Sequence, residues 1–594
     1  MKDFLRTTLA AVIGTLLAIG ILLGILSSQL MDPPQPDLAD SVVLVLNGDV
    51  LFTDRGSVPS LADTVAQGAV STLPLRRLIE AIDRAADDGR VDAILLMEGG
   101  PWVSGLAAKQ EVFDALARFR GRGKTIVAYG EDFTMDSYWW ASLADSIVMP
   151  TLGTFDFSGL GVELQYYARA MEKLGVEMQV TRVGRFKSAV EPYLLTGPSE
   201  ADSEQWATLL GDLQQEILED IALARGFSVE DLEALVQAPG MFLAAEALER
   251  GFIDRAASFE SVMEELRELV GAGDDLGDWD TSHSFAQVGL LRYLDDIYRA
   301  PPELGHWVAV VYAEGTIEDG YSSENIGGTE LAEELRQIRL GEWAEAVVLR
   351  INSPGGSATA SEVILREIQL LREAEIPVVV SMGDLAASGG YWIACQADMI
   401  YAEPTTITGS IGVFGMFPNA AGLLDKLGID VASVQIGPRA DMMSLARAKS
   451  EEELELMQGY VDLLYQGFLE RVAEGRIMTV EEVDDIASGR VWSGIRAHEL
   501  GLVDHLGSLD DAIAAAASLA GVRDYDVDYS TEEATALEDW LDTFLTPEDY
   551  PVVQGPAVLQ AIGQLEQELG LETLLRMRQT QGVQARLPYR FVLR

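Results

Sequence analysis

VDAILLMEGG (91–100) and AVVLRINSPGG (346–356) decide the fold. Each is an apolar run ending in a glycine pair, the pattern of a buried strand entering a tight turn. Four more stretches repeat in the same order. SVVLVLNGDV (41–50) resembles WVAVVYAEGTI (307–317), and YWWASLADSIVMP (138–150) resembles YWIACQADMIYAEP (391–404). KLGVEMQVTRVG (173–184) matches KLGIDVASVQIG (426–437), and ALERGFIDRAAS (247–258) matches AHELGLVDHLGS (497–508). Five ordered matches at a spacing near 250 residues indicate a tandem duplication. That period is too long for a solenoid, so each copy is a domain-sized unit. Strand-like runs alternate with helical patterns, which predicts an α/β architecture built of βα units. In the second copy a helix is expected to begin near Gly328 and end before Glu342.

Composition narrows the functional classes. A chain of 594 residues exceeds what one core supports, and 48% hydrophobic content is that of a folded protein. Lys plus Arg total 42 against 95 Asp plus Glu, a net charge of −53, which leaves no basic footprint for nucleic acid. Only seven residues are lysine, and such acidity suggests a surface adapted to high salt. The single cysteine, Cys395, allows no intrachain disulfide.

Thr7 to Met31 is 25 residues without a charge, enough to cross a bilayer, with Lys2 and Arg6 before it and Asp32, Asp37 and Asp40 after it. A cleaved signal peptide is the alternative, but no small-x-small site follows. The expected organisation is a transmembrane anchor (1–31), with the N-terminus cytoplasmic and the rest extracytoplasmic, then a linker (32–40). The first copy (41–270) follows, then a joint (271–300), the second copy (301–546) and a C-terminal extension (547–594).

The copies differ where chemistry is expected. Ser388, in GDLAASGGYW (383–392), lies between small residues where an extended run gives way to a helix, and its counterpart is Met135. Lys187, in VGRFKSAVEPY (183–193), stands opposite Ala440. One copy keeps a possible nucleophile and the other a possible base. Taken singly, Ser388 reads equally well as a strand-to-helix turn, and Lys187 as a stem packed on a surface strand. The complementary losses favour the paired reading.

A serine hydroxyl needs a base, and a lysine serves only if burial or a nearby cation lowers its pKa from about 10.4. The four histidines, His283, His306, His498 and His505, lie in no motif-like setting. Gly355 and Gly356, on the turn after a buried strand, and Gly389, after Ser388, could offer backbone N–H groups to an oxyanion; a Gly-Gly pair alone is usually just a turn. Asp384 and Asp398 read as structural or solvated. Trp139, Trp140, Trp392 and the Phe and Met residues of 412–418 could line an apolar groove, or fill the core. No cluster has metal-ligand spacing, so neither metal nor cofactor is expected.

NSPGGSATASE (352–362), AASGGYWIACQAD (386–398), TGSIGVFG (408–415) and RVGRFKSAVEPY (182–193) resemble the signal peptide peptidase A family in its long, tandem-domain, membrane-anchored form. The resemblance implies the Clp protease/crotonase fold and a Ser/Lys-dyad endopeptidase of the inner membrane. Ser388 would be the nucleophile and Lys187 the general base, with the Ser410 hydroxyl orienting the amine. It further implies a homotetramer that digests hydrophobic peptides, namely signal peptides already cut from preproteins. Residues 547–594 match none of its motifs. Two other readings share the fold, a crotonase-type hydratase or isomerase and a catalytically inactive membrane scaffold. The anchor and AASGG argue against the first, and retention of Ser388, Lys187 and Ser410 against the second.

Overall fold

The computed structural model describes residues 38–48, 50–56, 72–238, 240–272, 284–297, 305–322, 325–529 and 582–586, the last as backbone. The apolar span 7–31 lies outside them, and among the described residues no helix is long and apolar enough to cross a membrane.

Two parallel sheets carry the repeat. The first runs Arg255–Ala256, Ser146–Met149, Thr125–Tyr129, Val91–Met97, Val42–Leu46, Gln287–Gly289. The second runs His505–Leu506, Met399–Ala402, Val378–Ala387, Ala346–Ser353, Trp307–Glu314, Asp526–Tyr529, in the same order and all parallel. Four of the five repeated stretches thus fall on equivalent elements of the two copies; 173–184 contains the strand Glu177–Arg182, outside both of these sheets, and 428–437 forms no strand. The expected helix is present as Gly328–Gly341, with Glu342 beyond its end in the left-handed conformation.

Alternate residues of each strand feed cores on opposite faces of its sheet, as the two-residue period of a strand requires. Val42, Leu44 and Leu46 join one cluster and Val43 another. Val311 and Val347 lie on one face of the second sheet, with Val310 and Val348 on the other. Burial on both faces explains why these strands read as continuous apolar runs rather than alternating ones.

One expectation changes, and one open alternative is decided in favour of the core. Within the stretch taken as the joint (271–300), Gln287–Gly289 pairs in parallel with Val43–Val45, and Leu290, Tyr293 and Leu294 of the following helix are buried in the first core. The acidic composition of 271–283 masked the apolar residues just beyond it. Trp139, Trp140 and Trp392 line no groove; all are buried, Trp139 beside Phe113 and Trp392 stacked on Phe468 at 4.4 Å. They sit on short helices with the sheet on one side and a second helix layer on the other, so no face is left for solvent.

The copies are joined by polar and backbone contacts. Arg350 of the second copy, 1% exposed, donates to Asp54 Oδ1 at 2.8 Å and Glu111 Oε1 at 2.5 Å, both from the first. Asp384 accepts from Ala108 N at 3.0 Å, at the start of the helix Leu106–Gly121. From the helix Glu200–Arg225, Gln205 accepts from Val491 N at 3.0 Å and Asp212 from Ser493 Oγ at 2.8 Å. The strand Glu177–Arg182 joins no sheet of its own copy. It pairs antiparallel with Phe414–Asn419 of the second, all six residues in register.

Candidate active site

Ser388 ends the strand Val378–Ala387 and opens the helix Gly389–Ala394. Its φ of 57° and ψ of −114° are strained for a residue with a side chain. The turn is pinned on both sides, since Ser388 N donates to the Gly409 carbonyl and Trp392 N to the Ser388 carbonyl, each at 2.8 Å. Small neighbours are a packing demand: a Cβ at Gly390 would lie 2.8 Å from the Ser353 carbonyl oxygen.

Lys187 arrives from the other copy. The ladder between Glu177–Arg182 and Phe414–Asn419 continues as Val183 N donating to the Val413 carbonyl at 3.0 Å and Phe186 N to the Ser488 carbonyl at 2.9 Å. This lays the lysine stem in a slot floored by Gly489 and Gly412. A Cβ at Gly489 would be 2.6 Å from Lys187 Cβ, and one at Gly412 would be 3.3 Å from its Cδ.

The amine is 2.7 Å from Ser388 Oγ, and 3.0 Å from both the carbonyl oxygen and Oγ of Ser410. A neutral amine has two N–H donors and one lone pair. The Ser410 carbonyl can only accept. Ser410 Oγ is 3.5 Å from the Gly489 carbonyl, which can take its proton and leave the hydroxyl free to accept as well. The lone pair then faces the Ser388 hydroxyl, so this count matches three neighbours with none left over. Burial holds the Lys187 ammonium well below its ordinary value of 10.5. Ser388 and Ser410 are also buried, at 0% and 1% exposure. The two groups meet within one chain, although they are 201 residues apart.

Three serines around the amine, Ser388, Ser410 and Ser488, have positive φ. Such strain costs of order 1–3 kcal/mol per residue and persists only where the surroundings enforce it. Gly489 and Ser488 escaped the sequence reading, which looked for differences between copies. By the spacing of the matched stretches 247–258 and 497–508, Gly489 stands opposite Pro239, just outside the stretches whose repetition drew attention.

The three glycines are placed differently. Gly389 is the first residue of a helix, where the N–H has no intrahelical partner. Gly356 is held between strands, and a Cβ there would lie 1.9 Å from the Ile317 carbonyl oxygen. Gly355 has φ of 94°, but its N–H already donates to Ser353 Oγ at 3.1 Å, so it is the least available of the three. Asp398 is structural, accepting from Arg372 Nε and Val378 N at 2.8 and 2.9 Å. Cys395 is buried, with its thiol pushed up to about 12 by desolvation, and is inert.

Residues 118–273 and 371–523 match Peptidase family S49, once in each copy. The chain is 36% identical over 474 residues to Protease 4 of Salmonella typhi, covering 78% of this chain and 75% of that one. Protease 4 of Haemophilus influenzae is 33% identical, covering 77% and 76%. The chloroplastic serine protease SPPA of Arabidopsis thaliana is 31% identical, covering 80% and 70%. Among solved structures, a ClpP1 mutant from Listeria monocytogenes aligns at 18% identity with a TM-score of 0.23, over 34% of this chain and 94% of that one. The chain is a serine peptidase and belongs to Peptidase family S49, the signal peptide peptidase A family, with its domain repeated in tandem.

Proposed function

We propose that the chain is a membrane-anchored endopeptidase that hydrolyses hydrophobic peptides, remnant signal peptides among them, with a Ser388/Lys187 dyad. The observation that carries this reading is a buried amine 2.7 Å from a strained serine hydroxyl. Lys187 Nζ removes the Ser388 proton as Oγ attacks the scissile carbonyl carbon. The resulting oxyanion takes N–H bonds from Gly389 and the Gly355-Gly356 turn. As the C–N bond breaks, the ammonium returns the proton to the leaving amine, giving an acyl-enzyme. Water then attacks the acyl carbon with Nζ again as base, the ammonium returns that proton to Ser388 Oγ as the C–Oγ bond breaks, and the second product leaves and ionises to a carboxylate. Ser410 holds the amine with its lone pair on Oγ. Met178, on the strand leading to Lys187, packs with Val190, Phe414 and Met416 in a buried apolar cluster that holds that strand in place. The span 7–31 is the anchor, which leaves the catalytic copies on the extracytoplasmic side of the inner membrane.

A homotetramer is part of the proposal. The lysine strand of the first copy pairs with Phe414–Asn419 of the second, but the reverse pairing is not formed among the described residues. Its halves, 429–436 and 159–166, join no ladder among the described residues, and Val434 and Ile436 are fully exposed. Head-to-tail pairing of these stretches between chains is heterologous and closes into a ring. Light scattering reads the assembly, and a monomer refutes it.

The test of activity is hydrolysis of a leucine-rich fluorogenic peptide in high salt, wild type against Ser388→Ala. Wild-type cleavage that Ser388→Ala abolishes is expected. A folded wild type that cleaves nothing would leave the inactive scaffold in its place.

A further inference from the structure

We propose that Arg490 is a positioning residue for the dyad: it ties the Lys187 segment of the first copy to the Ser410 segment of the second, and so holds the amine on the Ser388 hydroxyl. This rests on the peptidase reading above. The observation is that one residue grips both segments. The Arg490 carbonyl accepts from Ser410 N at 2.6 Å. Its guanidinium carbon lies 4.7 Å from the centre of the Phe186 ring, and Phe186 is the residue before Lys187.

Residues 487–492 (ASGRVW) turn into the strand Val491–Ser493. Ser488 and Gly489 have φ of 53° and 78°, so the turn carries strain that its surroundings must enforce. Backbone contacts supply part of that. Phe186 N donates to the Ser488 carbonyl at 2.9 Å, Gly489 N to the Ile411 carbonyl at 2.8 Å, and Ser488 N to Tyr465 Oη at 3.3 Å. Of the side chains in this turn, that of Arg490 reaches across the seam to the lysine segment.

Stacking, rather than ion pairing, sets where that side chain lies. The guanidinium packs between Phe186 of the first copy and Trp492 of the second, the latter at 4.5 Å. Its Nε is buried and makes no hydrogen bond among the described residues. Nη1 does donate to Glu204 Oε1, but at 3.4 Å, and Glu204 is 45% exposed and shared with Arg185. Exposed pairs of this kind contribute little, and at molar salt a Debye length of about 3 Å weakens them further. A planar cation in contact with two ring faces keeps its attraction there, and a lysine ammonium cannot stack in the same way.

The clamp acts one residue from the base. Lys187 Nζ ends a long stem, so its place against Ser388 Oγ depends on where the Lys187 backbone is held. A displacement of about 1 Å in a reacting group costs about 10²-fold in rate. Loosening the seam here also admits water to an amine that burial keeps neutral.

The experiment uses the full chain and the fluorogenic peptide in high salt. Arg490→Ala is expected to lower kcat about 100-fold with KM unchanged. Phe186→Ala should do the same, and the double variant should be no worse than either alone, because the two act as one unit. Phe186→Tyr, which keeps a ring, and Glu204→Gln, which removes only the ion pair, should stay near wild type. The acidic limb of kcat/KM separates positioning from lost structure. Less folded protein lowers the rate at every pH alike. A loosened, hydrated amine holds its proton to higher pH, so in both alanine variants the limb should move up by about one unit or more. Wild-type kcat in both variants, or lower kcat with the limb unmoved, overturns the proposal. If Arg490→Ala does not fold, Phe186→Ala decides. Failure of both to fold also overturns it, since the contact then serves the fold and not the dyad. A second arm needs no turnover. The urea stability of each protein is compared with that of its Lys187→Met counterpart at pH 8 and 9.5, and the gain with pH is expected to shrink in the Arg490→Ala background. An undiminished gain overturns the proposal. A chain that hydrolyses nothing refutes the peptidase reading, while this arm still decides whether Arg490 holds the amine.

Discussion

Replacing Lys187 with methionine keeps the volume of the stem and removes the amine, and its effect on stability should depend on pH in a way that reports protonation. The amine's three contacts, to Ser388 Oγ and to the carbonyl and Oγ of Ser410, are lost. At about 1 kcal/mol each, that loss opposes the gain from no longer burying an amine, so the stability difference at one pH is not diagnostic. Its slope is. In the fold, burial keeps the amine neutral well below 10.5, while in the unfolded chain it stays charged up to about 10.4. The unfolded state then binds one more proton, so wild-type stability rises with pH by about 1.4 kcal/mol per unit across that window, and Lys187→Met does not share the rise. Between pH 8 and 9.5 the difference between the two proteins should move by about 2 kcal/mol in favour of wild type. Urea unfolding followed by tryptophan fluorescence at the two pH values measures it. Activity should fall by a factor of about 10⁴ or more, the upper end for a general base. Parallel pH curves would mean that the folded amine carries a proton just as the unfolded one does. It could then accept none from Ser388, and the dyad would be refuted.

Ser410→Ala removes one of the two acceptors holding the amine and leaves the carbonyl at 3.0 Å, so kcat should fall by about 3–10-fold, the worth of one neutral hydrogen bond, with KM unchanged. A loss beyond about 10³-fold would mean that Ser410 does more than orient. Asp384, pushed up to about 7 by burial and by Asp54, binds a proton in the fold that it has released when unfolded. Wild-type stability therefore declines as pH rises from about 4 to 7, by up to about 1.4 kcal/mol per unit. Asp384→Asn keeps an oxygen for Ala108 N and should be the more stable protein at pH 8 but not at pH 4; urea midpoints that shift equally at both would exclude this account.

Internal repetition made much of this legible. The equivalence of the copies follows from stretches recurring in sequence, and the helix beginning at Gly328 from its local pattern, whereas the strand order does not. Ser388 and Lys187 stood out because each was missing from the other copy, and the structure brings these two residues together. What the sequence hid were features outside the matched stretches or with no local signature. The slot at Gly489 lies outside them, and the strained φ of Ser488 follows from packing. The strand Gly582–Arg586 is five residues whose strand character comes wholly from the edges on either side. The engaged N–H of Gly355 depends on a rotamer of Ser353, which no residue pattern encodes.

The lysine also sets a condition on a chain this acidic. Any carboxylate near Lys187 would stabilise the ammonium and weaken the base, and the chain carries 95 Asp and Glu against 42 Lys and Arg. Yet burial alone accounts for the lowered pKa, with no carboxylate opposing it. Glu191, only four residues on and 2% exposed, shows how this is arranged. Its carboxylate faces Arg182 at 3.5 Å and accepts from Ser199 N at 3.1 Å, turned away from the amine. Among the other buried carboxylates, Asp54 and Glu111 pair with Arg350 at a separate part of the seam between the copies, Glu367 pairs with Arg336 and Arg339, and Glu453 with Arg447. Surface charge is left to the solvent, where a Debye length of about 3 Å at molar salt confines its field. An acidic exterior and a neutral lysine can therefore coexist in one molecule, because the walls of the site come from two copies and neither brings an unpaired carboxylate to it.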